Sequence, residues 1–306
     1  MAIPTSRTTV VADIFVNEDL CNGCGLCVQV CSDFSLTLVN KKAAKSTTSV
    51  FGCIGCGHCM AVCPTGAINI LGRTLSPADL VELPPASDEA GFEPLLSLYQ
   101  RRRSIRKFKD MPVDQEMINK IINAASTAPM GLPPSDVHLM VLDSREKNHS
   151  FAKDFCQFLE GMQWIVSGWF LTLMRPFWGK QTDEVFRHFV TPLFKTYTEA
   201  MKMDKNVVTY DAPLAIYFYG SPYSDPADPI VAATYAMLAG EALGLGTCML
   251  GAVHPLIQKG KKAKALRAKY GIKHTSREGL FVIFGHPVPK FKKGIKRTFA
   301  DVHFVS

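Results

Sequence analysis

The 306-residue sequence has no run of uncharged apolar residues as long as the ~18–20 a membrane span needs. Residues 46–72 carry no charge, but cysteines, glycines and Pro64 break them. Residues 161–174 are more apolar but short, and Arg175 ends them. The first sixteen residues, MAIPTSRTTVVADIFV, lack a basic stretch followed by an apolar one, so no secretory signal is read there and a cytoplasmic, reducing setting is expected. Neither a Gly-x-Gly-x-x-Gly turn after a strand nor a phosphate loop occurs, which excludes a Rossmann dinucleotide domain. Charge of one sign is not in large excess: the net value of +7 gives no ground for expecting nucleic acid as a partner. Hydrophobic residues make 47% and charged residues 20%, which excludes global disorder. Cysteine is nearly missing from most of the chain, because eight of the ten lie between Cys21 and Cys63.

Those eight form a repeat. Cys21-x2-Cys24-x2-Cys27-x3-Cys31 recurs 32 residues later as Cys53-x2-Cys56-x2-Cys59-x3-Cys63. Thiolates are soft, charge-donating ligands suited to iron, and three of them at this spacing can face one cube from a single tight loop. In two-cluster runs the fourth cysteine of each run serves the other cluster. On that rule Cys21, Cys24, Cys27 and Cys63 hold one [4Fe–4S] cluster, and Cys53, Cys56, Cys59 and Cys31 hold the second. Zinc and disulfides are the competing readings, but zinc sites usually pair two-cysteine knuckles without a third cysteine at this spacing. His58 lies inside the second run and is read as a surface or tuning residue, since four cysteines suffice. Residues 10–73 resemble the two-cluster bacterial ferredoxins, with Ser32 rather than proline after Cys31.

The expected organisation is a head over residues 1–74, a linker over 75–94 with four prolines and five acids, and a body over 95–306. In the body, Met117, Ile118, Ile121, Ile122 and Ala125 recur on one face of a helix started by Asp114. Residues 137–143, 212–219 and 280–284 read as strands. Asp228-Pro229 opens a helix of small residues running to Gly244, and residues 255–270 read as one helix stopped by Gly271. The Trp- and Phe-rich residues 156–177 read as a buried helix pair at a core or subunit interface, with a membrane-surface contact as the alternative. Cys156, Cys248, His254 and His286 read as packed or capping residues, and the lysines of 259–273 as a solvated helix face or a landing site for an acidic redox partner. Strands separated by helices give an α+β or α/β body.

Three stretches carry chemistry. Arg101 to Lys109 is a basic run with Ser104 inside it, and guanidinium forks match phosphate oxygens. Residues 128–134, Ala-Pro-Met-Gly-Leu-Pro-Pro, form a rigid loop after a helix. Residues 244–251, Gly-Leu-Gly-Thr-Cys-Met-Leu-Gly, have glycines that let backbone approach a flat ligand. A further basic set, Lys290, Lys293, Lys296 and Arg297, follows the last strand. In this order and spacing the stretches resemble the nitroreductase family of FMN enzymes, from about Leu95 to Val302.

That resemblance implies an α+β chain: a ferredoxin-like 2[4Fe–4S] head followed by a mixed-sheet FMN body that forms a homodimer. It implies that Arg102 and Ser104 hold the FMN phosphate, with Arg103 and Arg106 near the phosphate or the pyrimidine edge of the ring. Lys290 and Arg297 would complete the phosphate site, and Pro129, Met130, Gly131 and Leu132 would line the isoalloxazine, in this family often from the partner subunit. Leu250 and Gly251 would present backbone groups to the N5 and O4 edge. No side chain stands out as an obligate acid or base. The implied activity is reduction of a flat acceptor such as a nitroaromatic, quinone or enone, with NAD(P)H or reduced ferredoxin as donor. The competing class is a non-enzymatic iron–sulfur and flavin electron carrier or redox sensor.

Overall fold

In the computed structural model, residues 5–7, 10–31, 34–50, 52–73, 75–131, 133 and 135–305 are described. The cysteine-rich head is built on two small antiparallel ladders. Strand β1 (Asp13–Val16) pairs with β4 (Ile68–Leu71), and β2 (Leu36–Val39) pairs with β3 (Lys42–Lys45). Asn40 and Lys41 turn the β2–β3 hairpin with φ of 49° and 60°, the left-handed pair a two-residue hairpin turn requires. The sequence repeat is also a conformational one. Gly25 and Gly57 both sit at φ 78°, and each opens a single helical turn, α1 (Leu26–Gln29) and α2 (His58–Ala61). Gly23 at φ 75° lies against the Lys41 carbonyl oxygen, where any Cβ would collide. Ile14, Leu36, Met60, Ile68 and Ile70 form a small core between the ladders.

From Leu75 to Gly91 the chain is largely exposed and holds only two short 3-10 turns, Pro77–Asp79 and Ala86–Asp88. Helix α3 (Phe92–Arg101) then leads into the body, followed by α4 (Gln115–Ser126) and β5 (Val137–Leu142). Next come α5 (Arg145–Glu160), α6 (Gly168–Val185), α7 (Thr191–Lys202), β6 (Leu214–Gly220) and α8 (Asp228–Ala242). The chain closes with β7 (Gly246–Leu250), α9 (Val253–Leu256), α10 (Lys261–Lys269) and β8 (Gly279–Gly285). The sheet order is β5-β6-β8-β7, with each named pair antiparallel. Every residue of β6 and of β8 is buried. Side chains alternate along these strands. Leu214, Ile216 and Phe218 face a layer with α4 and α8, while Ala215, Tyr217 and Tyr219 face a layer with α5, α7 and α10. The body is thus a three-layer sandwich with the sheet in the middle. A short parallel bridge from Ser104 to Thr247 adds the basic segment to the β7 edge and makes the sheet mixed.

Several elements depart from their sequence expectations. Residues 246–250 form an edge strand rather than part of a loop. The single helix expected over 255–270 is two, because Gly260 at φ 96° separates α9 from α10. Asp114 occupies the N-cap of α4 without a side-chain capping bond. Asp228 sits one residue inside α8, whose cap is Ala227. The aromatic stretch is only half buried within one chain. Cys156, Phe158 and Leu159 are in the core, but Trp164, Trp169 and Phe177 are 54%, 64% and 78% exposed. Among the described residues, no helix is long and apolar enough to cross a membrane.

Candidate redox site

The cysteines surround two cavities in the head. One is lined by Cys21, Cys24, Cys27 and Cys63, the other by Cys53, Cys56, Cys59 and Cys31. Each cavity therefore takes three thiols from one run and the last thiol of the other. Burial repeats at the same offset: Cys27 and Cys59 are buried, Cys24 and Cys56 exposed. Burial pushes the Cys59 thiol up to about 12, with Cys56, Cys53 and Cys31 adding to the rise. Burial likewise raises Cys27, assisted by Cys63, Cys21 and Cys24. Burial works against ionising Cys63 as well, yet hydrogen bonds from the Thr65 hydroxyl and the Thr65, Ala67 and Gly66 amides hold its thiol below the ordinary value. Further amides point at sulfur: Ala43 N–H donates to Cys21 Sγ (3.4 Å), Gly55 N–H to Cys53 Sγ (3.4 Å) and Ala67 N–H to Cys63 Sγ (3.3 Å). Such bonds favour the thiolate and set the potential of whatever it ligates. Among the described residues, no three His, Cys, Asp or Glu side chains close on a single ion.

In the body, the basic segment is fixed at the sheet edge. Ile105 N–H donates to the Thr247 carbonyl (2.8 Å), and Ile105 itself is buried. Its neighbours Ser104 and Arg106 are therefore exposed. Gly246 makes this approach possible, since a Cβ there would meet Ile105 Cγ1 at 2.7 Å. The Arg106 guanidinium lies over the Tyr210 ring, 5.8 Å from its centroid. Thr247 donates to Glu241 Oε1 (2.7 Å). Burial raises the Glu241 carboxyl, while Thr247, Arg102 and Arg103 pull it back.

The residues singled out from sequence divide among three cavities and an open edge. Arg103 and Lys290 line a cavity of about 570 Å³ together with Arg101, Lys293 and Glu241. Gly251 opens onto one of about 970 Å³ with His254, Gln258, Ser276 and Arg277. Pro129 and Met130 line one of about 200 Å³. Arg102, Ser104 and Arg106 run along the β7 edge that ends at Leu250. Arg297 lies on the exposed tail after β8, and Leu132 falls outside the described residues. Within one chain, then, the Pro129 loop is not in the cavity that holds Arg103 and Lys290.

Other polar groups here have partners that the sequence did not announce, although His254 was read as a packed or capping residue. His254 is buried, its Nδ1 is 2.8 Å from the Tyr217 hydroxyl, and burial lowers its pKa so that it is neutral at pH 7. Asp228 accepts the Gly131 amide. Asp228-Pro229 is legible as a helix start, but nothing local tells which loop its carboxylate serves. Glu241 shows only as a lone charge in a helix of small residues.

Comparison with known proteins follows the same division. Residues 14–70 match the model of a 4Fe-4S dicluster domain. Residues 99–286, more than half of the chain, match the model of the Nitroreductase family. A nitroreductase with bound FMN from Bacteroides fragilis NCTC 9343 aligns at a TM-score of 0.52 and 15% identity, over 69% of this chain and 98% of that one. A nitroreductase with bound FMN from Desulfitobacterium hafniense DCB-2 aligns at 0.49 and 19%, over 69% and 97%. No curated protein sequence matches the chain. A nitroreductase body behind a 4Fe-4S head is what the two folded parts amount to, and the chain belongs to the nitroreductase family.

Proposed function

We propose that this chain is an FMN-dependent oxidoreductase in which two [4Fe–4S] clusters feed electrons through the flavin to a flat organic acceptor such as a nitroaromatic, quinone or enone. The observation that carries this reading is the pairing, in one chain, of two four-cysteine cavities with a basic β7 edge that ends at Leu250–Gly251. The parts divide as residues 1–74, the 75–94 linker and residues 95–306. A flavin bound there supplies exchange between one-electron and two-electron chemistry. Arg102 and Ser104 hold its phosphate by charge-assisted and hydroxyl hydrogen bonds, with Arg103, Arg106, Lys290 and Arg297 adding positive charge. Leu250 and Gly251 bring backbone close to the ring edge, and a Gly251 Cβ would meet nothing within 4 Å, so there is room for a flat ligand. The large cavity beside Gly251 gives an acceptor space to enter, which favours an enzyme over a closed electron carrier.

A homodimer fits two further features. Pro129, Met130, Gly131 and Leu132 would line a ring held by the other copy, which accounts for the separation of Pro129 and Met130 from Arg103 and Lys290 within one chain. The tail after β8 carries exposed Phe291, Ile295, Phe299 and Phe304, apolar groups that a second copy would cover. The donor is NAD(P)H or reduced ferredoxin.

The test is an anaerobic visible spectrum with acid extraction, expected to show about one FMN and about eight irons per chain. Protein that neither retains nor takes up flavin would overturn the proposal. Stopped-flow reduction with NADH, NADPH and reduced ferredoxin in parallel then identifies the donor by which centre bleaches first.

A further inference from the structure

Residues 5–7 precede the first cysteine loop in sequence, yet they are bonded to the body. Ser6 N–H donates to Asp136 Oδ2 (2.8 Å) and Ser6 Oγ–H donates to Asp136 Oδ1 (2.6 Å). Asp136 is buried, and it also accepts from Ser221 Oγ (2.8 Å). Its carbonyl accepts the Ser221 amide (3.1 Å). Three donors on one buried carboxylate make a strong, charge-assisted junction between segments 130 residues apart. Thr5 is buried as well, and Arg7 lines the same cavity as Pro129 and Met130.

Both loops that meet at Asp136 also shape the flavin-lining segment. Asp136 ends the stretch that begins at Pro129. Ser221 begins the stretch that leads to Asp225 and Asp228. Gly131 packs on Asp225 Cβ so closely that a Cβ of its own would sit 2.9 Å away, and its amide is bonded to Asp228. His138 Nε2 lies 3.2 Å from Ser6 Oγ, which places serine, histidine and aspartate together. This is not a hydrolytic triad. The hydroxyl proton goes to the carboxylate, and the carboxylate does not orient the imidazole.

We infer that residues 5–7 are a strap that fastens the cysteine head to the flavin loop, with Asp136 as the positioning residue that fixes both. The inference rests on the proposed function for its electron-transfer consequence, but not for the strap itself. On its other side the head runs into the body through the exposed 75–91 segment. A flexible tether of about 20 residues has a root-mean-square span of ~25 Å. Electron tunnelling falls exponentially with distance, so a head roaming over that range delivers electrons to the flavin slowly.

The experiment uses the full-length holoprotein with Ser6→Pro, which removes both the amide and the hydroxyl donor, and Asp136→Asn. Hydrogen exchange is followed over residues 5–16 and 129–137, together with iron and FMN content and the rate at which reduced clusters reduce the flavin. Ser6→Pro is expected to keep both cofactors. It should speed exchange in both segments by about tenfold, as loss of bonds to a carboxylate implies. Cluster-to-flavin transfer should slow about tenfold or more. Unchanged exchange and unchanged transfer in Ser6→Pro would overturn the strap. If the wild-type protein proves to hold no flavin, the proposed function fails, and the exchange data alone decide the strap. Should Asp136→Asn lose iron or fail to fold, the decision rests on Ser6→Pro, whose change lies outside the body.

Discussion

The Gly131 amide donates to Asp228 Oδ1 at 2.9 Å, tying the loop that begins at Pro129 to the first turn of α8. Both partners are 97 residues apart, so this bond is a tertiary decision made by the fold. Burial raises the Asp228 carboxyl above its ordinary value, against the lowering effect of the Gly131 bond. Between the unfolded and the raised folded value the native state binds more protons than the unfolded chain. Stability from this group is therefore present at low pH and falls as pH rises through that window. Asp228→Asn keeps an acceptor and should flatten this pH dependence in thermal unfolding. Asp228→Ala orphans the amide and should cost about 1–3 kcal/mol, with weaker flavin retention measured on the same samples.

Arg102→Ala and Ser104→Ala test the phosphate site. A lost charge-assisted bond is worth about 1.5–3 kcal/mol, so Arg102→Ala should weaken FMN binding roughly 10–100-fold, and Ser104→Ala less. Fluorescence titration of apoprotein with FMN measures this directly. Unchanged affinity in both variants would remove these two residues from the site while leaving the fold untouched.

The crossed cysteine arrangement predicts a pattern of non-additivity. Cys63→Ala should lose about four of about eight irons. Adding Cys21→Ala should remove little more, because both thiols serve one cavity. Adding Cys53→Ala instead should strip the remainder. Iron analysis with EPR of the reduced protein distinguishes the two pairs, and the reverse pattern would show that each run ligates only its own cluster.

His149 should make the 203–211 loop sensitive to pH. Its Nδ1 lies 3.1 Å from Asp211 Oδ1 and its Nε2 3.0 Å from Asp204 Oδ1. Burial lowers its pKa, but the bonds and charges of Asp211 and Asp204 outweigh that and the net shift is upward. A raised histidine stabilises the fold fully below its unfolded value of about 6.5, and that contribution disappears as pH rises through the folded value. His149→Gln should remove the decline in melting temperature over that window. The same loop carries Tyr210 beneath Arg106, so flavin affinity should follow the same pH dependence in wild type and lose it in the variant.

What the sequence revealed was what is local. The two cysteine runs are legible because three ligands of each lie within seven residues, and the same spacing places Gly25 and Gly57 at one shared φ. Helix α4 is legible because its apolar residues recur with helical period, and its face does pack on the sheet at Ile118, Ile121 and Ala125. Strand β7 was missed because five residues bounded by glycines carry too little pattern to tell strand from loop. The break at Gly260 was missed because an isolated glycine inside an otherwise helical stretch is a weak stop signal. Trp164 and Phe177 were expected at a core or a subunit interface, and the single chain leaves them exposed. The pairings of Tyr217 with His254 and of Ser6 with Asp136 join residues 37 and 130 apart, and no local signal announces such a pair.

The matched exposure of Cys24 and Cys56 has a consequence for traffic through the head. A repeat that copies its buried and exposed sulfurs at the same offset creates two equivalent doors rather than one. If the proposed strap and electron path hold, one of them serves the flavin and the other receives a donor protein or small reductant. A single pair of substitutions beside Cys24 and Cys56, made bulky one at a time, would tell the entrance from the exit.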